Sequence, residues 1–208
     1  MPPGRASLSG MWRSRTSSDA ARGIRCRAPL LGAAALAALL PGAAGAAVFE
    51  TQEHALARAF PAPARVVRAT SYLSAEQVEA ARKAAQAPVD SAVVTRYAAF
   101  APDGTRLGTA YFDGHVVRTA TEVLMVVVAP DRSVRSVDVL AFGEPQDYLP
   151  RAGWLKRVEG RKAEDGLFVG RALSHVSGAT LTTRAIAAAV RRVLALDALL
   201  GPAAPPAK

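Results

Sequence analysis

The sequence predicts an α+β fold, an antiparallel sheet flanked by helices, and three observations carry the reading. A capping box opens a helix at Ser74, four strand-like runs separated by turns occupy residues 92–142, and a long amphipathic pattern closes the chain from Thr183 to about Leu200. Helix, antiparallel strands, loop and helix in that order make an α+β domain, here residues 47–200.

Each element has a local cause. From Ala47 to Phe60 a short helical pattern, with Ala55, Leu56 and Phe60 apolar, leads into a stretch broken by Pro61 and Pro63. In Ser74-Ala75-Glu76-Gln77 the serine oxygen takes an amide proton and Gln77 reaches back, so a helix runs to about Gln86 and is ended by Pro88. Ala92–Phe100 is the first strand, and Pro102-Asp103-Gly104 turns it into Leu107–Phe112. Glu122–Ala129 is nearly continuous valine, as expected of a strand covered on both faces. Pro130-Asp131-Arg132-Ser133 returns the chain into Val134–Phe142. A rigid loop, Glu144–Pro150, then precedes a short helical piece with Trp154 and Leu155 and a charged loop, Glu159–Asp165. In the last helix Ile186, Val190, Val193, Leu194 and Leu200 recur at helical spacing, with Arg184, Arg191 and Arg192 expected on the other side. Gly201 ends it, and residues 201–208 are expected to be a disordered Pro/Ala tail.

Residues 1–46 are set apart. Six arginines against the single acid Asp19, an apolar run from Leu30 to Leu40, and Ala44-Gly45-Ala46 describe a secretory signal peptide cleaved after Ala46. The alternative is an uncleaved membrane anchor, since Leu30 to Phe49 is about the length of a membrane span. The full chain has a formal charge of +9, but positions 47–208 hold 20 basic and 16 acidic residues, a net +4. The basic excess therefore belongs to the targeting segment and gives no ground for a nucleic-acid partner. The only cysteine, Cys26, lies there too. The domain that follows can hold no disulfide, cysteine-ligated cluster or Cys-x-x-Cys-His haem.

The segment that carries chemistry is Ser177-Gly178-Ala179-Thr180-Leu181-Thr182-Thr183, immediately before the last helix. Small residues let a ligand approach the backbone, Thr182 and Thr183 are plausible N-caps, and first-turn amides with the helix dipole favour a phosphate. Taken alone, the same residues also describe an ordinary capping loop.

Ser177-Gly178-Ala179-Thr180-Leu181-Thr182 resembles the flavinylation motif of the FMN-binding domain family, which includes the FMN-carrying subunits of the Rnf complex and of the sodium-translocating NADH:quinone reductase. Phe60-Pro61, the valine-rich strand, Glu144-Pro145 and the terminal helix follow in the family's order, and the closest likeness is to stand-alone exported members. These share Val116-Val117-Arg118-Thr119, Val137-Asp138-Val139-Leu140-Ala141-Phe142 and Glu144-Pro145-x-x-Tyr148. The resemblance implies FMN as cofactor, joined by a phosphoester bond to Thr180 by a flavin transferase that uses FAD outside the cytoplasm. The family motif usually has Asp three residues before the Ser/Thr, where this chain has Ser174, so FMN held without that bond is the alternative. The resemblance also brings Glu144, Tyr148 and Leu149 against the flavin, with Tyr148 stacking and Glu144 accepting a hydrogen bond; the competing reading is a structural corner fixed by Pro145 and Pro150. His115 is a further candidate for the flavin pocket, and Arg118 is read as a solvated arginine.

Other constellations are set aside. Ser174-His175 are sequence neighbours and cannot make a triad, and no Gly-x-Ser-x-Gly elbow is present. His54, His115 and His175 are isolated, without a carboxylate pair at ligand spacing, so no metal is expected. No Rossmann or Walker loop is found. The expectation is an electron-transfer flavoprotein rather than an enzyme with its own substrate, periplasmic or otherwise extracytoplasmic, working with membrane or extracytoplasmic redox proteins. The alternative is a non-covalent FMN-binding or partner-docking module.

Overall fold

The computed structural model describes residues 47–204. The expected signal peptide or anchor (1–46), Cys26 within it and residues 205–208 of the expected tail lie outside them. Six strands form one antiparallel sheet in the order β1-β6-β5-β4-β3-β2: β1 (Ala47–Val48), β2 (Arg65–Tyr72), β3 (Val93–Phe100), β4 (Arg106–Val117), β5 (Ala120–Val128) and β6 (Val134–Phe142). Four helices accompany them, α1 (Gln52–Ala59), α2 (Ala75–Ala85), α3 (Ala152–Leu155) and α4 (Thr180–Leu200). The α+β architecture is the expected one.

The Ser74 capping box is formed, with the serine Oγ accepting from the Gln77 amide and the Gln77 side chain accepting from the Ser74 amide. The valine-rich β5 is the centre of the sheet. Residues 124–128 are fully buried, and the strand's period of two divides them between two cores. Leu124, Val126 and Val128 face Ile186, Val190 and Val193 of α4, while Met125 and Val127 face Ala55 and Phe60 beside α1.

Two strands exceed what their residues announce. β2 is an edge strand paired only with β3; half-buried and exposed positions alternate along it, but its residues, Arg65–Tyr72, carry no matching apolar alternation. β4 continues through Asp113-Gly114-His115, poor strand formers, because pairing with β5 holds every residue from Thr109 to Val117. The last helix needs a correction as well. Thr182 and Thr183 are not N-caps: α4 starts at Thr180 behind Ala179, and both threonines are buried within its first turn. Nor do Arg191 and Arg192 face away from the protein. Arg191 donates to the carbonyls of Ala85 and Leu167, and Arg192 grips Asp113 of β4 through Nε and Nη2, both at 2.7 Å. Gly201 closes α4 in a left-handed conformation, and its carbonyl accepts from Arg96.

Candidate functional site

Two bonds fix how α4 lies on β4. Tyr111 Oη donates to Asp197 Oδ1 at 2.9 Å, and Arg192 holds Asp113. Two residues of strand, about 7 Å, thus match five residues of helix, about 7.5 Å, and the two run antiparallel. Continuing to Val117, about 13 Å further, reaches back about nine helical residues to Thr183. The β4–β5 turn, Arg118-Thr119, therefore lies level with the first turn of α4.

Loop 144–149 ties that turn to the segment before α4. Glu144 Oε1 accepts from the amides of Thr119 and Ala120, each at 3.0 Å, and from the Thr119 hydroxyl at 3.2 Å. These bonds hold its carboxyl below the usual range, with the Thr119 amide the largest cause. Arg118 is exposed as expected, and its guanidinium lies over the Tyr148 ring, 4.3 Å from its centroid. On the other flank, the carbonyl of Asp147 sits 4.0 Å from where a side chain on Gly178 would begin. Gly178 has φ +82°, a left-handed conformation that costs other residues about 1–2 kcal/mol.

The start of α4 differs from the other long helices. Thr51 and Ser74 cap α1 and α2 with side-chain oxygens, whereas Ala179 at the head of α4 has none to offer. Among the described residues no acceptor takes the amides of Thr180, Leu181 or Thr182. The Thr180 hydroxyl donates to the Val176 carbonyl at 3.2 Å, which keeps its lone pairs free. Beside this head lies a cavity of about 640 Å³, lined by Asp147, Leu149, Arg151, Trp154, Arg157, Ser174, Ser177 and Ala179 among others. Its volume falls in the usual range for small-ligand sites.

A model of the FMN-binding domain matches residues 119–195. The match supports an FMN-binding domain family for this span. No curated protein and no solved structure matches the chain. The matched span takes in Glu144, Tyr148, Leu149 and the whole Ser177–Thr182 segment, and FMN is the cofactor it indicates.

The residues at the head of α4 fit FMN. A cavity of suitable size, three amides without acceptors among the described residues, a helix terminus without a side-chain cap and two arginines suit a phosphate-bearing ligand. Leu149, Ser177 and Ala179 line this cavity, with Gly178 in the same loop and Thr180 next to it as the first residue of α4. Leu181 is exposed next to it, and buried Thr182 offers only its amide. Glu144 and Tyr148 are not in the cavity lining; they stand at the neighbouring turn, one bracing it and the other under Arg118. Arg151, Trp154 and Arg157 were not expected at the site. They come from the short helical piece after the loop, and no local pattern marks them.

His115 goes elsewhere, and it is not isolated. Its Nδ1 meets Asp113 and its Nε2 meets Glu122, both at 2.9 Å. Asp113 lies two residues away on the same strand face, and Glu122 is its cross-strand partner. The trio borders or underlies a second cavity of about 710 Å³ between β3, β4 and α4. Burial opposes the imidazolium, yet the two carboxylates outweigh it and raise the His115 pKa to about 9. Burial likewise works against the Asp113 carboxylate, but bonds from His115 and Arg192 bring it down to about 2. Burial pushes Glu122 upward, against its bond from His115. Arg192 and His115, which line this larger cavity, have their nitrogens engaged within the protein. Among the described residues no group of three or more metal-ligating side chains is arranged to hold an ion.

Proposed function

We propose that this chain is an exported flavoprotein electron carrier with FMN joined by a phosphoester bond to Thr180, relaying electrons between a membrane donor and an extracytoplasmic acceptor. The FMN-binding domain match over the segment containing Thr180 carries the reading. Attachment forms a bond from Thr180 Oγ to the flavin-side phosphorus of FAD and breaks the bond to AMP. AMP leaves and the hydroxyl proton is released; a flavin transferase would catalyse the step. Thr180 suits the role as the first residue of α4, half-buried at the mouth of a small-residue loop. The loop and arginines orient the phosphate, and FMN when bound supplies one- or two-electron transfer. Signal-peptide features at 1–46 support export, and among the described residues no helix is long and apolar enough to cross a membrane.

The test is an intact mass of the protein from a host that has a flavin transferase. It should equal the chain cleaved after Ala46 plus one FMN residue, and denatured protein should keep a fluorescent band that Thr180→Ala removes. A band retained by Thr180→Ala would refute the attachment.

A second reading, reversible FMN binding, is favoured by Ser174. Its hydroxyl accepts from Arg157 Nη1 at 3.0 Å, so a neutral group stands where the family motif usually has a carboxylate. A yellow protein that loses its colour on denaturation would select this reading.

A further inference from the structure

We infer that Arg151 and Arg157 hold the phosphate of FMN and make the site select FMN over riboflavin, an inference that rests on FMN lying at the head of α4. Both arginines line the cavity that Ser177 and Ala179 also line, and the one acid in that lining is Asp147. Arg157 gives one nitrogen to Ser174 Oγ, and among the described residues its remaining guanidinium nitrogens meet no acceptor. Arg151 has no side-chain partner among the described residues. Two neighbouring polar groups are already engaged: the Trp154 indole donates to the Ser174 carbonyl at 2.9 Å, and the Thr180 hydroxyl to Val176.

The neutrality of Ser174 decides the charge of this corner. A carboxylate there would pair with Arg157 and cancel it; a hydroxyl accepts one hydrogen bond and leaves the charge in place. The phosphate, a dianion in free FMN and a monoanion once esterified to Thr180, can then take the guanidinium fork in the bidentate geometry that arginine favours, with the amides of Thr180–Thr182 on its other side. Riboflavin carries the same ring and ribityl chain without the phosphate. The two arginines therefore act on the difference between the two ligands rather than on flavin affinity in general.

The experiment titrates FMN and riboflavin by fluorescence into Thr180→Ala protein, in which no bond to residue 180 can form. FMN should bind tighter than riboflavin by about tenfold or more, the size of one charged hydrogen bond. Adding R151A and R157A together should remove that preference by weakening FMN alone. S174D, which leaves both arginines in place, should reduce it as well, and added salt should narrow it in the parent protein. Equal loss of both ligands in the double variant, or no loss of either, overturns the assignment. Thr180→Ala protein that binds neither ligand also overturns it if the unmutated protein carries FMN. If the unmutated protein carries none, the placement of FMN at this loop fails too.

Discussion

The two ends of α4 are built on opposite plans. Towards its C-terminus, Arg191, Arg192 and Asp197 reach Ala85, Leu167, Asp113 and Tyr111, and Gly201 beyond the helix is held by Arg96. At its head, Ala179 provides no cap, three amides have no acceptor among the described residues, and two arginines stand over a cavity. The first end uses nearly all of its hydrogen-bonding capacity within the protein and so fixes the helix on the sheet. The second end leaves capacity available and so can receive a ligand. Stability and binding are thus separated by about 20 Å along one helix, at 1.5 Å per residue.

Substitutions should divide along the same line. The largest expected effect is at Asp113, whose removal leaves Arg192 and His115 without their shared carboxylate. Breaking a buried pair on one side costs about 3–5 kcal/mol, and with slight exposure of both partners Asp113→Ala should fall at about 3. Urea unfolding measures it, and a loss under 1 kcal/mol would mean that the network does not anchor the helix.

Next is the pH dependence. His115 has its folded pKa raised to about 9 from an ordinary value near 6.5, so its contribution is complete below about 6.5 and is lost as pH climbs through 9. Glu122, also raised, acts in the same direction. Asp113, held down to about 2, adds stability that persists above about 4 and disappears only as pH falls through 2. The melting temperature should therefore drop from pH 6.5 to 9, and His115→Gln should flatten that slope. An unchanged slope in His115→Gln would assign the drop to other groups.

The head of α4 should respond the other way. Gly178→Ala imposes a left-handed alanine at about 1–2 kcal/mol without a clash, and should reduce FMN content more than its stability loss explains. Smallest in stability is Thr180→Ala, expected within about 0.5 kcal/mol because the residue is only half-buried, yet with complete loss of attached flavin. Thermal melts paired with flavin absorbance check both. If Thr180→Ala melted far lower than the parent, the separation of the two ends would fail.

How much of this could be read in the sequence depends on the range of the interaction. The Ser74 box and the β5 valines act within a few residues, and both appear where expected. Ser177–Thr180 could be found as a motif before a helix, although Thr182 and Thr183 look like caps until the fold buries them in the first turn. β2 escaped because its half-buried face carries Val67, Ala69 and Ser71 while Val66 and Tyr72 are exposed, so the sequence shows no apolar alternation. The trio of Asp113, His115 and Glu122 depends on a cross-strand register that no single segment encodes. Arg157 beside Ser174 is likewise a tertiary meeting, 17 positions apart and invisible to spacing rules.

The strand order has one more consequence, and it concerns time. From β2 to β6 every strand pairs with its sequence neighbour, so the sheet needs mainly short loop closures. The helix that carries Thr180 is different: Arg192 meets a residue 79 positions away, and Arg191 one 106 positions away. Long closures form late because their entropy is lost before their contacts are gained. The expectation is that the meander assembles first and α4 docks last, so the phosphate corner exists only in a chain that has finished folding. In refolding followed by stopped flow, FMN capture should lag behind sheet formation and coincide with the burial of Trp154.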